Sequence, residues 1–482
     1  MATCRVLYHE GAKIALKKPA VISTVEQLAS FLIFLRADNS SRCRYLRRLE
    51  LVEFFPEDNV VQDLIETLPL LTSIENLQLT EAELILDVHH ALTPAFCTLT
   101  TLRHIDFTGV KAKTCTLLLG LHAPLVSANL NFLSNDDEKL WDDLEDDAWV
   151  RYHPTTLLDN FASTLEMLGC VSWYINHDMF IMPTKVYPNM RKLSFKLHYF
   201  PLRIDAFIRA FPNLTDLQVN TEYHDGNIDL FSWDTMLDSH AMNVAQQHAH
   251  VNSCGTWAHL EHFYGCLLDI YAIGITSHIR RITLVDLQDD GRRKGMLATV
   301  LRYARPLHLK LEMTSTLLGD ADEGFIAMLR DEGASNLINL NVHIYFIEGD
   351  QDKDLSIVID SLISALTSLP LKFLELGFET SSLDPTPRKA TIIDRIRAQR
   401  QGLPEPPVPT PTPLTPAELS LQSLEMDTLI DRLESMPSLQ AARVVVLSSR
   451  DGGHHGWEGH ERTIKKGTSQ LAGREQWRIN FA

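Results

Sequence analysis

One spacing, Leu-x-x-Leu-x-Leu, returns along this chain and constrains its fold more than any other feature. It opens as YLRRLEL, with leucines at 46, 49 and 51. It recurs as Ile74, Leu77 and Leu79; Leu102, Ile105 and Phe107; Met190, Leu193 and Phe195; and Leu214, Leu217 and Val219. Further copies are Ile279, Ile282 and Leu284; Leu337, Leu340 and Val342; and Leu371, Leu374 and Leu376. Weaker copies lie at Leu165, Leu168 and Cys170, near 125–132 and near 306–313. The first three copies start at 46, 74 and 102, which is 28 residues apart each time; the pair at 190 and 214 is 24 apart, and elsewhere the interval stretches. The last two apolar positions of each copy are two residues apart. On a strand both then face a core, and the residue between them faces the other way. Such a strand buries too little alone and needs neighbours stacked on both sides.

The segments between copies read as helices. NVVQDLIETLPLL carries an apolar stripe at Val60, Val61, Leu64, Ile65 and Leu68, and RIDAFIRAFPNL does the same with Ile204, Phe207, Ile208 and Phe211. LATVLRYARP and LSIVIDSLISALTSLP repeat the theme, and several of these segments end in Leu-Pro, Phe-Pro or Arg-Pro just before the next copy. Proline cannot continue a helix, so the predicted order is helix, proline, strand, repeated.

A chain of 482 residues exceeds what one compact core holds, and 45% apolar composition is enough to build several layers or an array. The formal charge of −18 repels phosphate backbones and anionic lipid, which argues against nucleic acid or a membrane as the main partner. Seven cysteines, at 4, 43, 97, 115, 170, 254 and 266, are odd in number and irregular in spacing, which fits a reducing compartment. The N-terminal MATCRVLYHEGAKIALKK has no apolar h-region, and LSIVIDSLISALTSLPL is too short and interrupted to span a bilayer. A cytoplasmic or nuclear location is expected.

The strand copies between residues 44 and 380 resemble leucine-rich repeat proteins of the long strand-plus-helix type. That resemblance implies an α/β solenoid, a horseshoe with a parallel sheet on the concave face and helices outside. The family usually carries Asn or Cys three residues after the last leucine. Here those positions hold Phe54, Ala82, Val110, His198, Glu222, Leu287, Tyr345 and Glu379, so an irregular arc is expected. The N-terminal TCRVLYHEGAKIALKKPAVIS resembles the end of an F-box, through Cys4, Arg5, Leu7, Leu16, Val21 and Ile22. Together these features are similar to fungal F-box-like proteins with degenerate leucine-rich repeats. The resemblance implies a substrate receptor of a Skp–cullin–F-box ubiquitin ligase, with the opening Leu-Pro-x-Glu helix expected to lie before Met1. The expected organisation is 1–43 as F-box remnant or cap, 44–380 as repeat array, 381–416 as proline-rich linker, and 417–482 as C-terminal cap and tail.

Three stretches interrupt the copies. NDDEKLWDDLEDDAWVRYHP (135–154) is acidic and reads as a solvated loop or a docking loop for a basic partner. Residues 222–257 read as a long insertion, and GLPEPPVPTPTPLTP (402–416) reads as an extended linker. Beyond it, residues 418–449 repeat helix, proline and strand as a cap, and RDGGHHGWEGHERTIKKG reads as loop or tail.

His248, His250, Cys254, His259, His262 and Cys266 crowd together, and His259 and His262 would share a helix face. This cluster supports the rival reading of a metal-dependent enzyme around 248–266, but no Cys-x-x-Cys pair is present and no metal is assigned. No Gly-x-Ser-x-Gly elbow or Walker loop occurs, so no catalytic residue and no cofactor are assigned and a non-enzymatic role is expected. The expected site is a surface made of the outward strand positions. These are Arg48, Glu50, Asn76, Gln78, His104, Asp106, Lys192, Ser194, Asp216, Gln218, Arg281, Thr283, Asn339, Asn341, Phe373 and Glu375. A polar strip of mixed charge suits a protein partner. A repeat scaffold without any ubiquitin link, its N-terminal helix serving only as a cap, is the second alternative.

Overall fold

The computed structural model describes residues 5–52, 58–132, 150–173, 183–196, 202–221, 233–249, 255–287, 293–318, 324–380, 383, 397, 399–400, 413–447 and 460–465. The chain divides into two compact units, Met1–Gly265 with Ala272–Ser277, and Cys266–Tyr271 with His278–Ala482. Both are α/β, with strands that alternate with helices.

The strands of the first unit are β1 (Ala20–Ile22), β2 (Arg48–Val52), β3 (Asn76–Thr80), β4 (His104–Phe107), β5 (Ser127–Asn131), β6 (Met167–Val171), β7 (Lys192–Lys196), β8 (Asp216–Asn220) and β9 (His262–Gly265). Each pairs in parallel with the next. The register lines up Leu49, Leu77, Ile105, Ala128, Leu168, Leu193, Leu217 and Phe263 in one row. All of these are buried, as the two-residue apolar spacing requires. Each buried leucine contributes roughly 1.5–3 kcal/mol.

The second unit contains β10 (Arg281–Leu287), β11 (His308–Thr314), β12 (Asn339–Tyr345), β13 (Phe373–Glu379) and β14 (Ala441–Leu447), again parallel in chain order, with β15 (His460–Lys465) antiparallel to β14. Its strands are longer, and in β11–β14 the inward face gains a third apolar position, the row Met313, Ile344, Phe378 and Val446.

The predicted helices form where the stripes place them. Asp58–Thr67 buries Val60, Val61 and Leu64, and Pro69 sits inside the tight turn Leu68–Leu70 that ends it. Asp205–Ala210 lies between buried Ile204 and Phe211. Arg293–Ala304 and Leu355–Leu366 complete the pattern in the second unit, the latter capped by the Asp354 side chain, which accepts from the Ser356 N–H. Where the family would carry its Asn, Ala82 and Val110 are buried. Their backbone N–H groups donate to the carbonyls of Thr108 (2.7 Å) and Asn131 (3.0 Å), so backbone bonds join neighbouring turns there.

The structure adds detail to several sequence expectations. Helix Arg5–Ala15 leads into β1, which pairs with β2, so the segment before residue 43 is built into the same sheet as the copies that follow. At the other end helices Pro416–Gln422 and Met426–Glu434 precede β14, which pairs with β13 along its whole length; the parallel rows therefore continue past 380 to Leu447. HERTIK, read as loop or tail, is strand β15: among its described side chains only Ile464 is buried, the sequence offers no apolar alternation, and pairing with β14 supplies the order. The expected insertion at 222–257 contains helix Trp233–Ala249, which connects β8 to β9. Its buried side chains, Met236, Ser239, Asn243 and Gln247, do follow helical spacing but are mostly polar, so a hydrophobic-periodicity reading passes over it. Asn243 Nδ2 donates to the Leu202 and Ala272 carbonyls, both at 2.9 Å, and Gln247 Nε2 donates to the Gly274 carbonyl at 2.7 Å. These bonds satisfy the buried amides. The acidic stretch at 135–149, residues 402–412 and residues 450–459 lie outside the described residues. No helix among the described residues is long and apolar enough to cross a membrane.

Candidate protein-binding face

The outward strand positions form two rows in each unit. In the first unit one row runs Arg48, Asn76, His104, Ser127, Met167, Lys192, Asp216, His262, and the next runs Glu50, Gln78, Asp106, Asn129, Gly169, Ser194, Gln218, Tyr264. Every expected residue of this unit therefore lies on one face, exposed or half-buried. Three further strands contribute residues that the sequence did not nominate: Ser127 and Asn129 on β5, Met167 and Gly169 on β6, and His262 and Tyr264 on β9. The copies carrying them are degenerate: Ala128 stands for a leucine, and Gly265 ends HFYG where an apolar residue belongs.

Small side chains at Gly169 and Ser194 open a depression of about 470 Å³ over β5–β9. The Asn129 amide leans over Gly169: a Cβ there would sit 2.7 Å from Asn129 Oδ1. Asn129 Nδ2 donates to Asp106 Oδ1 at 3.0 Å. Burial pushes the Asp106 carboxyl up, and this bond partly offsets the push. On the other side Ser194 Oγ donates to Gln218 Oε1 at 3.2 Å. The His262 imidazole, 3.7 Å from Asp216, holds that carboxyl below its ordinary range against burial, with help from the Thr215 hydroxyl, which donates to it at 2.7 Å.

In the second unit the register rows are Arg281, His308, Asn339, Phe373 and Thr283, Lys310, Asn341, Glu375, Arg443. Two expected surface residues are covered instead: Thr283 is 7% exposed and Asn339 2% exposed. Their register neighbours are large, Lys310 beside Thr283, and His308 and Phe373 on either side of Asn339. Several of the remaining groups bond to one another or to side chains beside them. Asn341 Nδ2 donates to Glu375 Oε2 (2.8 Å), and Arg443 bridges Glu375 (2.7 Å) and Glu461 (3.0 Å). Lys310 pairs with Glu312 at 3.0 Å, and His343, seated over Gly377, meets Glu379 at 3.2 Å. Asn339 Oδ1 and His308 Nδ1 are exceptions, without a hydrogen-bond partner among the described residues.

The His/Cys cluster is not assembled as a helix would assemble it. His262 stands on strand β9, and His259 precedes the strand in a turn. His250 and Cys254 lie outside the described residues. The Cys266 thiol donates to Asp269 at 2.9 Å, and burial pushes its pKa up, which opposes the thiolate a metal needs. Among the described residues no group of three or more His, Cys, Asp or Glu could hold a metal ion.

No protein-family model matches the chain, and no curated protein does.

Proposed function

We propose that this chain is a non-enzymatic protein-interaction module of the leucine-rich-repeat horseshoe type, which takes a protein partner along the outward face of β5–β9. The observation that supports this most is the depression over Gly169 and Ser194, lined by polar side chains such as Asn129, Lys192, Asp216 and Gln218. Quantitative affinity purification with the wild-type chain and a Ser194→Trp variant tests it. A partner set depleted by Ser194→Trp at unchanged melting temperature supports the face; an identical set from both counts against it.

On the F-box resemblance, this module presents its bound partner to a Skp–cullin ubiquitin ligase. A scaffold with no ubiquitin link is the second reading, and the pairing of β1 with β2, which makes the N-terminal segment the first layer of the sheet, favours it. Co-expression with a Skp-type adaptor separates the two. Co-elution supports the receptor, and separate elution leaves the scaffold.

A further inference from the structure

We propose that the depression over Gly169 receives one bulky apolar side chain, preferably aromatic, from an extended partner segment, while a carboxylate of the same segment pairs with Lys192. The inference rests on the face of β5–β9 being a partner-binding face.

The floor decides the first half. The backbone groups of β6, β7 and β8 are engaged in the parallel ladder, so the floor between Gly169 and Ser194 offers a ligand little hydrogen bonding. Met167 stands 44% exposed at the rim, an apolar group held out to water in a row that is otherwise polar. Tyr264 closes the far end of the row that holds Gly169 and Ser194. A volume of about 470 Å³ falls within the range of roughly 300–1,000 Å³ typical of ligand pockets and has room for an aromatic ring. An apolar anchor seated in such a pocket and ringed by polar groups is where interfaces concentrate their binding energy.

The charges decide the second half. The two formal charges on the rim are Lys192 and Asp216, neighbours in register. Asp216 is already engaged by the Thr215 hydroxyl and faces His262. The Lys192 ammonium acts on Asp216 through space but makes no hydrogen bond or ion pair among the described residues. The unspent charge is a cation, and its complement is a carboxylate.

The test is a random peptide library displayed on phage and panned on the full chain, with Ser194→Trp and Lys192→Glu as counter-screens. Ser194→Trp fills the depression from an outward position; should it melt lower than wild type, Met167→Ser, at an exposed site, takes its place. We expect the selected peptides to share an aromatic or large aliphatic residue close to an Asp or Glu. A synthetic peptide of that sequence should bind each variant at least about tenfold more weakly. Peptides that depend on the depression but lack the acidic neighbour, or ignore Lys192→Glu, overturn this inference and leave the binding face standing. Failure to select any peptide, or peptides that bind Ser194→Trp or Met167→Ser as tightly as wild type, overturns the inference and the face together.

Discussion

The two units are built from the same helix-and-strand repeat, and both outward faces pair many of their polar groups, yet they differ in the room and the charge they leave open. On β11–β15 the polar groups mostly answer one another: Glu375 accepts from both Asn341 and Arg443, and Arg443 also reaches Glu461. On β5–β9 Ser194 also bonds to Gln218 and His262 faces Asp216, but Gly169 and Ser194 leave a depression beside them, and the Lys192 ammonium has no bonding partner among the described residues. A face whose groups are paired internally stabilises its own sheet. A face with gaps and unspent charge contributes less to stability and leaves more for a partner. One inward pattern therefore supports two different outward roles, because the period of two makes the faces independent.

The largest expected effect tests what the units share. Leu217→Asp should destabilise the first unit, and Leu340→Asp the second, by more than about 3 kcal/mol, because each places an unpaired charge in a buried row. Gln218→Asp, one residue along on the outward face, should change stability by less than about 0.5 kcal/mol. Similar urea midpoints for Leu217→Asp and Gln218→Asp would reject the register.

Acid should then act on both units, on the second through half-buried His308, whose pKa burial and the nearby Arg281 and Arg280 lower, and more fully on the first. Buried His153, in the first unit, bonds through Nδ1 to the Thr155 hydroxyl at 2.8 Å, and burial lowers its pKa from 6.5 to about 3. A lowered histidine pKa means that the unfolded chain takes up the proton first. The neutral ring's contribution is thus complete above pH 6.5 and is lost as pH falls from there toward 3. The urea midpoint of the first unit should fall over that window, and His153→Asn should flatten the fall. Equal pH slopes for the variant and the wild type would contradict the assignment.

The smallest effect sharpens the contrast between the faces. Glu375→Gln weakens a carboxylate with two partners and should cost about 1 kcal/mol, whereas Ser194→Ala removes one weak bond and should cost less than about 0.5 kcal/mol. If chemical denaturation finds Ser194→Ala as costly as Glu375→Gln, the face of β5–β9 is as self-satisfied as the other.

The sequence made the strands legible wherever two leucine-like residues stood two apart, because that period is set by the pleat and owes nothing to the neighbours. It hid elements whose buried side chains are polar or few. Helix Trp233–Ala249 buries Ser239, Asn243 and Gln247, the two amides compensated by carbonyls distant in sequence, and β15 rests on pairing with β14. The candidate face was half legible. Lys192, Ser194, Asp216 and Gln218 follow from alternation, but the depression depends on Gly169, Asn129 and Tyr264, which sit in degenerate copies and gain meaning only once register sets them side by side. The covered Thr283 and Asn339 show the converse: alternation gives the face of a residue, while its exposure depends on the size of its lateral neighbours.

Thiol reactivity at single introduced cysteines measures the central contrast directly. Ser194→Cys, Leu193→Cys and Thr283→Cys would be labelled with a maleimide in the native protein and read by peptide mass spectrometry. The structure predicts rapid labelling at position 194 and strong protection at 193 and 283. Protection at 194, or rapid labelling at 193, would contradict it.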